Sequence, residues 1–593
     1  MNKYKYVIPF LLIILTASQS YPQQKFIVDL SDTVTHTFNV TLYPEQLSDK
    51  NKIYQFAAAV PGTYEIMDVG RFVHSFHAFD NTNKEIPTKQ ISTNQFEIST
   101  PTQTKKIEYS VSDTWHTKIN GHGIYLMSGT NIEKDNVLIN PHCLLGYFEG
   151  MQSEPVYVKI NHPDNWQTGT ALTQNNEGYY TADNYDRVVD SPILLGRLSV
   201  AETKIGRCVI KIYTYSKTDI VKSSDILTSV TDILNAEDKF TAGLPVDHYT
   251  FLFHFSDVAD GAWEHSYSSE YVLKEAPIAE LIEGSLDTYI SHEFFHIITP
   301  LNIHSQLIEP FNFVNPVMSQ HLWFYEGTTE WAAWILQLRA GIMSLDDYLK
   351  GIRRQLITSE YFKKDLSLRD LSINAYKYPD QYQNIYMKGP VTAALLDIYI
   401  LKLSDGKKGL REVILDLSKK YGVNKSFDED TFFDEIVKMT YPEIKTFIDK
   451  YIIHAEPLPL KEYFGWLGID YEKLKGIDST KIELGFGVSV ANNRIVVSDV
   501  PDTSNTEMRT GDIINKLYDT PITLESAQEA FMVLHGKKPG DEIKLVLTRD
   551  GKDFNVYLKL PAAQKKHIFE VSQSPAPEQL SLREAWLKNL PLK

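Results

Sequence analysis

Residues 291–296 read Ser-His-Glu-Phe-Phe-His, a His-Glu-x-x-His motif that follows an apolar, helix-periodic stretch starting at Ile278. Residues four apart on a helix share one face, so His292 and His296 are predicted to bind the same metal ion. Glu293 is then predicted to act as the general base on a metal-bound water. Zinc suits such a site because it accepts neutral imidazoles and keeps one position open for water. One Zn²⁺ per chain is expected, unless the motif is a chance pair of histidines.

A third protein ligand is expected on a second amphipathic helix, which starts near Leu322 and runs toward a C-cap at Gly341. Glu326 and Glu330 lie one turn apart on it, among large apolar residues. Because carboxylates are rarely buried without a partner, a glutamate in this setting needs a cation or a hydrogen-bond donor. We predict Glu326 as the third ligand and Glu330 as the residue that orients a histidine. The alternative for either residue is a solvent-facing position.

Further segments extend this pattern along the chain. In order they are Gly261-Ala-Trp-Glu-His, His292-Glu-Phe-Phe-His, Leu322-Trp-Phe-Tyr-Glu-Gly-Thr-Thr, Tyr386-Met-Lys-Gly and Tyr451-Ile-Ile-His-Ala-Glu-Pro-Leu-Pro, followed by a PDZ-like stretch. The ordered set resembles the glycyl-aminopeptidase family, gluzincin zinc metallopeptidases that carry a C-terminal PDZ domain. The resemblance covers the chain from its mature N-terminus nearly to its end.

The resemblance implies a role for three of these residues. Glu326 matches the third zinc ligand of the family. Tyr386 matches a tyrosine that donates a hydrogen bond to the tetrahedral oxyanion, where charge appears only in the transition state. Glu264 matches a glutamate that would pair with the free α-ammonium group of a peptide substrate. Taken alone, Tyr386 is one of 34 tyrosines, most of which are expected to pack.

The sequence also departs from the family pattern. Trp263 replaces a leucine and puts a bulky ring near the expected amine-binding site, and the basic residues that often follow the second histidine are missing after His296. A loop at residues 309–316 is a candidate for shaping a specificity pocket. The preference for N-terminal glycine or alanine that the family implies is therefore only weakly expected here.

The N-terminus has the features of a signal peptide. Lys3 and Lys5 precede an apolar run from Val7 to Leu15 and a small-residue zone, so residues 1–20 are predicted to be removed on export. Nine apolar positions are too few to span a bilayer, and no later segment looks transmembrane. The mature protein is expected in a periplasm or outside the cell. Its net charge of −17 argues against nucleic acids and anionic membranes as partners.

The 593-residue chain is predicted to be a multidomain α+β protein. Short alternating strands at 21–200 predict a β-sandwich-like domain. Residues 201–340 are expected to form a thermolysin-like zinc catalytic domain, in which the strand around residues 249–255 borders the cleft as a sheet edge. Helical periodicity at 341–477 predicts a bundle that completes the cleft. The two cysteines, Cys143 and Cys208, form either a disulfide or two buried thiols.

Residues 478–562 resemble a PDZ domain. Leu484, Gly485, Phe486 and Gly487 match the loop whose backbone N–H groups receive a C-terminal carboxylate, so a peptide ligand is expected there. The alternative is a small β-domain that binds nothing. The tail, residues 563–593, contains an amphipathic segment from Leu582 that is a candidate to dock back on the protein.

Taken together, these features favour an exported zinc aminopeptidase that removes N-terminal residues, small ones among them, from peptides. Two other functions remain open. One is an endopeptidase to which the PDZ domain presents C-terminal tails of exported proteins. The other is a non-catalytic peptide-binding protein with a structural zinc, although both Glu293 and Tyr386 are retained.

Overall fold

The structure, a computed structural model, covers most of the chain. It describes residues 23–30, 33–118, 123–259, 261–308, 310–491, 494–500, 507–524 and 526–588. The predicted signal peptide at 1–20 lies outside these ranges. Within them, no helix is both long enough and apolar enough to cross a bilayer.

Three sheets build the first domain. The largest has eight strands, in the spatial order Thr173–Gln174, Tyr180–Ala182, Val156–Asn161, Gln24–Asp29, Thr37–Pro44, Lys106–Ser112, Val73–Phe79 and Glu85–Ile86. The other two comprise Gln167–Thr170, Ile193–Gly196, Asn136–Ile139 and Asn131–Ile132, and then Tyr147–Phe148, Ile53–Gln55, Gln95–Ile98 and Thr88–Ser92. All three sheets contribute side chains to one buried core. This confirms the predicted β-rich N-terminal domain.

A five-stranded sheet supports the metal motif. Its strands are Ser199–Ile205, Cys208–Ser216, His248–Ser256, Ser268–Lys274 and Gly261–His265, in that spatial order. The strand His248–Ser256 pairs in parallel with a neighbour on each side, so its prediction as a sheet edge was wrong. Its run of buried residues is typical of a parallel strand covered on both faces. The edge strands are Ser199–Ile205 and Gly261–His265, and the second of them carries Glu264.

Helices cover this sheet and continue into a bundle. They are Ser223–Phe240, Ile278–Glu283, Leu286–Phe295, Leu322–Ala340, Leu345–Ser359, Leu368–Ile373, Asn384–Leu403, Leu410–Lys420, Phe432–Met439, Glu443–Ile448 and Leu460–Trp466. The short helix Tyr185–Val189 packs in the core of the first domain instead. We call Leu286–Phe295 the motif helix, Leu322–Ala340 the Glu326 helix and Asn384–Leu403 the Tyr386 helix. Ser285, at φ +73°, separates the motif helix from the helix before it, so the periodic stretch from Ile278 is not one continuous helix.

The Glu326 helix and the Tyr386 helix touch through glycine. A Cβ atom built on Gly327 would lie 2.9 Å from the backbone of Gly389, and one built on Gly389 would lie 3.0 Å from Gly327. Side chains at this crossing would hold the two helices apart, because real Cβ atoms do not approach backbone so closely. The close crossing places Glu326 beside Tyr386, three residues before Gly389.

The C-terminal domain is an insertion between two paired strands. Ile469–Ile482 and Ala562–Val571 form an antiparallel ribbon, and the domain between them has its own apolar core. Its strands are Gly487–Ala491, Arg494–Asp499, Ile513–Leu517, Glu542–Arg549 and Lys552–Lys559 in spatial order, with Thr520–Pro521 and the helix Ala527–Met532 beside them.

After the ribbon, the chain returns to the core that contains the motif helix. The helix Pro577–Lys588 buries Leu582 and Trp586 in the same cluster as the helices around the metal motif. The backbone carbonyl of Trp586 accepts a hydrogen bond from Arg339 Nε at 2.8 Å. The amphipathic segment thus docks back, and the multidomain α+β fold is confirmed. The exact domain boundaries at 200, 340 and 477 stay predictions.

Both cysteines are free and buried. Cys143 lies in the core of the first domain, and Cys208 lies in the core that contains the motif helix. Of the two alternatives, the structure has the pair of buried thiols.

Candidate metal centre and active site

Two histidines and a glutamate converge where the motif helix meets the Glu326 helix. The Nε2 atoms of His292 and His296 each lie 3.5 Å from Glu326 Oε2. Ligands bound tetrahedrally to zinc at its usual bond lengths are separated by about 3.4 Å. All three side chains are more than nine-tenths buried. The spacing and the ligand types therefore fit a zinc ion held by these residues.

Hydrogen bonds to the far side of each imidazole fix its orientation. His292 Nδ1 donates to Glu330 Oε2 at 2.8 Å, and His296 Nδ1 donates to the carbonyl of Thr299 at 2.8 Å. With Nδ1 protonated in both rings, each Nε2 keeps its lone pair for a metal. Trp334 Nε1 donates to the other oxygen of Glu330 at 2.9 Å and so holds that carboxylate in place.

The protonation states of the buried histidines and carboxylates at this centre are also consistent with a bound cation. Burial lowers the pKa of His296 to about 4, which keeps its imidazole in the neutral, metal-binding form. Burial acts in the same direction on His292, but the neighbouring carboxylates of Glu326 and Glu330 outweigh it and raise that pKa. Burial also raises the pKa of Glu293 to about 8. A nearby dication would favour the ionised forms of these carboxylates and offset the cost of burying them.

Glu264 enters the same site from the edge strand Gly261–His265. One of its carboxylate oxygens, a carboxylate oxygen of Glu293 and a ring nitrogen of His296 all lie within 4.8 Å of one another. Burial, followed by the charges of Glu326 and Glu293, raises the pKa of Glu264 well above its usual range. A positively charged group placed beside Glu264 would reverse that shift and be bound by it.

A loop of the first domain, residues 60–64, closes over this edge strand. Gly62 has φ +82°, and a Cβ atom on it would lie 2.7 Å from Glu264 Oε1 and 2.4 Å from Trp263 Nε1. Only glycine tolerates both this conformation and this approach. The Trp263 ring, predicted near the amine-binding site, is 3% exposed and packs edge-on against His142 and His265.

Sequence reasoning missed two tyrosines at the centre. Tyr64, at the end of the same loop, donates from its hydroxyl to Glu326 Oε1 at 2.9 Å. The hydroxyls of Tyr382 and Tyr386 lie 2.8 Å apart, and the ring centroid of Tyr386 is 5.8 Å from that of His292. The spacing of Tyr382 and Tyr386, one helical turn, was a usable signal. Nothing in the sequence around Tyr64 indicates its contact with Glu326, 262 positions away.

The predicted PDZ loop lies in the C-terminal domain. Leu484 and Phe486 pack against that domain's core, Gly485 has φ +77°, and Gly487 begins the strand Gly487–Ala491. This loop therefore belongs to a different domain from the proposed metal ligands. Its role in peptide binding stays a prediction.

Comparisons with known protein families match three segments of the chain, and one of these segments contains most of this site. Models of the Peptidase M61 N-terminal domain, the M61 glycyl aminopeptidase and the PDZ domain match residues 25–197, 286–392 and 465–560. The second match contains both motif histidines, Glu293, Glu326 and Tyr386. The chain belongs to the M61 glycyl aminopeptidase family. The resemblance is confirmed, and membership of this family makes the protein a metallopeptidase with a PDZ domain. Glu264 falls between the first two matches.

Comparison of this M61 family member with solved structures gives matches of different strength. An aminopeptidase N family protein from Idiomarina loihiensis is 21% identical, with a TM-score of 0.77 over 95% of this chain and 100% of its own. A two-domain M1 zinc metallopeptidase bound to L-tryptophan is 12% identical, with a TM-score of 0.44 over 74% of this chain and 95% of its own. Yeast LTA4 hydrolase in complex with bestatin is 14% identical, with a TM-score of 0.44 over 75% and 67%. No curated protein matches the chain.

Tyr64 is expected to strengthen metal binding by holding Glu326. Replacing Tyr64 by phenylalanine removes the hydrogen bond to Oε1, so the carboxylate loses its fixed orientation, and zinc affinity should fall by about 10- to 100-fold. Competition with a chelator of known affinity measures this. Tyr361→Phe, at a side chain that is 72% exposed, is the matched control. An unchanged zinc affinity in Tyr64→Phe would contradict this role.

Proposed function

We propose that the protein is a zinc aminopeptidase that removes the N-terminal residue from peptides. The observation that carries this proposal is the position of Glu264, whose carboxylate lies within 4.8 Å of the expected general base and of a metal-ligating histidine. When the ammonium group of a peptide binds Glu264, the carbonyl of the first residue lies beside the metal site. That distance supports cleavage after the first residue.

His292, His296 and Glu326 would hold the zinc ion, which when bound polarises the scissile carbonyl and the attacking water. Glu293 takes the proton from that water and passes it to the leaving amine. The Tyr386 hydroxyl donates to the oxyanion that develops in the transition state, while Tyr382 holds that hydroxyl. Tyr64 and Glu330 keep the ligands in place.

Glu264→Gln is the variant that tests the exopeptidase role. Leaving a buried ammonium without its carboxylate costs about 2–5 kcal/mol, so kcat/KM on free-amine peptides should fall by about 30-fold or more. The measurement is hydrolysis of free-amine peptides and of matched N-acetylated peptides, with and without a chelator. Glu456→Gln, at a side chain that is 52% exposed, serves as the control.

The same panel separates the alternatives. Chelator-sensitive cleavage of free-amine peptides alone supports the aminopeptidase. Cleavage of acetylated peptides would replace it with an endopeptidase to which the PDZ domain presents C-terminal tails. No cleavage of any peptide would favour a peptide-binding protein with a structural zinc.

The same proposal covers the setting of the enzyme. It is exported to a periplasm or beyond, which agrees with the leader-like residues 1–20. Its PDZ domain receives a C-terminal peptide at Leu484, Gly485, Phe486 and Gly487, a loop whose backbone N–H groups suit a carboxylate. Binding of a carboxylate-ended peptide, compared with its amidated form, tests the second point.

A further inference from the structure

A large cavity adjoins the expected amine-binding carboxylate. It has a volume of about 500 Å³, and Glu264 and Tyr64 both form part of its wall. Tyr64 also contacts the metal-ligating Glu326. The cavity therefore lies next to the group that would hold a substrate ammonium, and Tyr64 connects its wall to the proposed metal ligand Glu326. Its volume falls in the range, about 300–1,000 Å³, of sites that enclose a small-molecule ligand.

Much of the wall is apolar and aromatic. It includes Leu301, Ile308, Phe311, Phe313, Tyr325 and Val423. Four of these follow the motif helix directly in sequence, and Phe311 and Phe313 belong to the loop that the sequence marks as a specificity candidate. Burial lowers the pKa of His304, which also lines the cavity, to about 4, so this imidazole is uncharged at neutral pH.

Two of the carboxylates that line the cavity, Asp186 and Asp190, already have protein partners. Asp190 Oδ1 accepts from His265 Nδ1 at 3.3 Å, and Asp190 Oδ2 lies 3.3 Å from the guanidinium of Arg187. Asp186 accepts from the backbone N–H of Phe311 at 3.1 Å and from the Gln152 side chain at 2.8 Å. Both carboxylates are thus hydrogen-bonded within the protein.

We propose that the substrates carry a large apolar or aromatic side chain on their N-terminal residue, and that this side chain fills the cavity. In a bound peptide, the first Cα atom lies between the ammonium on Glu264 and the carbonyl at the metal. The side chain on that carbon starts at the mouth of the cavity, and burying it there removes apolar surface from water. Glycine has nothing to bury. This inference rests on the proposed aminopeptidase activity and sets its substrate class apart from the glycine in the family's name.

Peptides that differ at one position test the inference. The full-length enzyme is assayed with X-Ala-Ala peptides in which X is glycine, alanine, leucine or phenylalanine, and with Ala-X-Ala peptides as the control for the second position. The expected result is a kcat/KM for phenylalanine or leucine at least about 10-fold above that for glycine at the first position, with a smaller effect at the second. A preference for glycine or alanine would overturn the inference and leave the aminopeptidase intact. Cleavage of N-acetylated peptides would instead overturn the aminopeptidase.

Filling the cavity provides an independent test. Ile308→Trp places an indole ring in the cavity, where it takes the space of the substrate side chain. The ratio of kcat/KM for phenylalanine to that for glycine should therefore fall by at least about 10-fold. Val423→Trp, at a side chain that is 45% exposed, reaches the same cavity with less risk to folding and should lower the same ratio. Ile477→Trp, at a side chain that is 65% exposed on the ribbon, should leave the ratio unchanged. An unchanged ratio in folded Ile308→Trp and Val423→Trp would overturn the inference.

Discussion

Replacing Glu293 by glutamine is expected to lower kcat by about 10²- to 10⁴-fold, the usual contribution of a general acid–base group. Glutamine keeps the shape of the side chain but cannot accept the proton of the attacking water. Zinc content should not change, because the proposed ligands are His292, His296 and Glu326. Burial raises the pKa of Glu293 to about 8, so a neutral amide at this position should not destabilise the fold.

The assay follows kcat on a free-amine peptide together with the zinc content and the thermal midpoint of the same sample. Glu283→Gln is the matched control, since Glu283 is exposed on the helix just before the motif helix. Near-full activity in a zinc-loaded Glu293→Gln sample would remove Glu293 as the base. Loss of zinc together with activity would instead make it a structural residue of the site.

The metal centre could be predicted largely from local sequence. The positions of His292 and His296 follow from helical geometry alone, since residues four apart share a face. Glu326 could be proposed because a carboxylate among apolar residues needs a partner. Tyr64 could not, because its contact with Glu326 depends on how the first domain packs on the catalytic domain, and no local pattern encodes that packing.

The wrong prediction that His248–Ser256 is an edge strand has a related cause. The stretch around residues 249–255 is a continuous apolar run, which indicates burial but not which neighbours cover it. The two parallel partners of His248–Ser256 come from segments on either side in sequence, and they put it inside the sheet. Period and composition therefore identified the strand, while its position in the sheet depended on long-range pairing.

The contact between Gly327 and Gly389 explains why glycine lies close in sequence to two proposed site residues. Each glycine follows a proposed functional side chain closely, one position after Glu326 and three after Tyr386. A side chain at either glycine would separate the helices and move the Tyr386 hydroxyl away from the metal ligands. The sequence shows both glycines, but only the crossing explains why each one is next to the site.

Trp586→Ala is expected to lower the free energy of unfolding strongly. Trp586 is fully buried, its ring lies 5.6 Å from that of Tyr348 in an edge-on contact, and it comes after the PDZ domain in sequence. Removing a buried tryptophan side chain costs about 3–5 kcal/mol, because the cavity that remains is only partly filled. The thermal midpoint for loss of peptidase activity should therefore fall by about 10 °C.

The control and the choice of readout make this result specific. Leu580→Ala lies on the same helix at a side chain that is 41% exposed, so it should shift the midpoint little. Activity is the right readout because Leu582 and Trp586 belong to the core that surrounds the metal ligands, whereas the PDZ domain has a core of its own. If Trp586→Ala kept the midpoint of the unchanged protein, the terminal helix would be only a surface attachment. A lowered midpoint would mean that the catalytic unit depends for its stability on a helix that follows the PDZ domain in sequence.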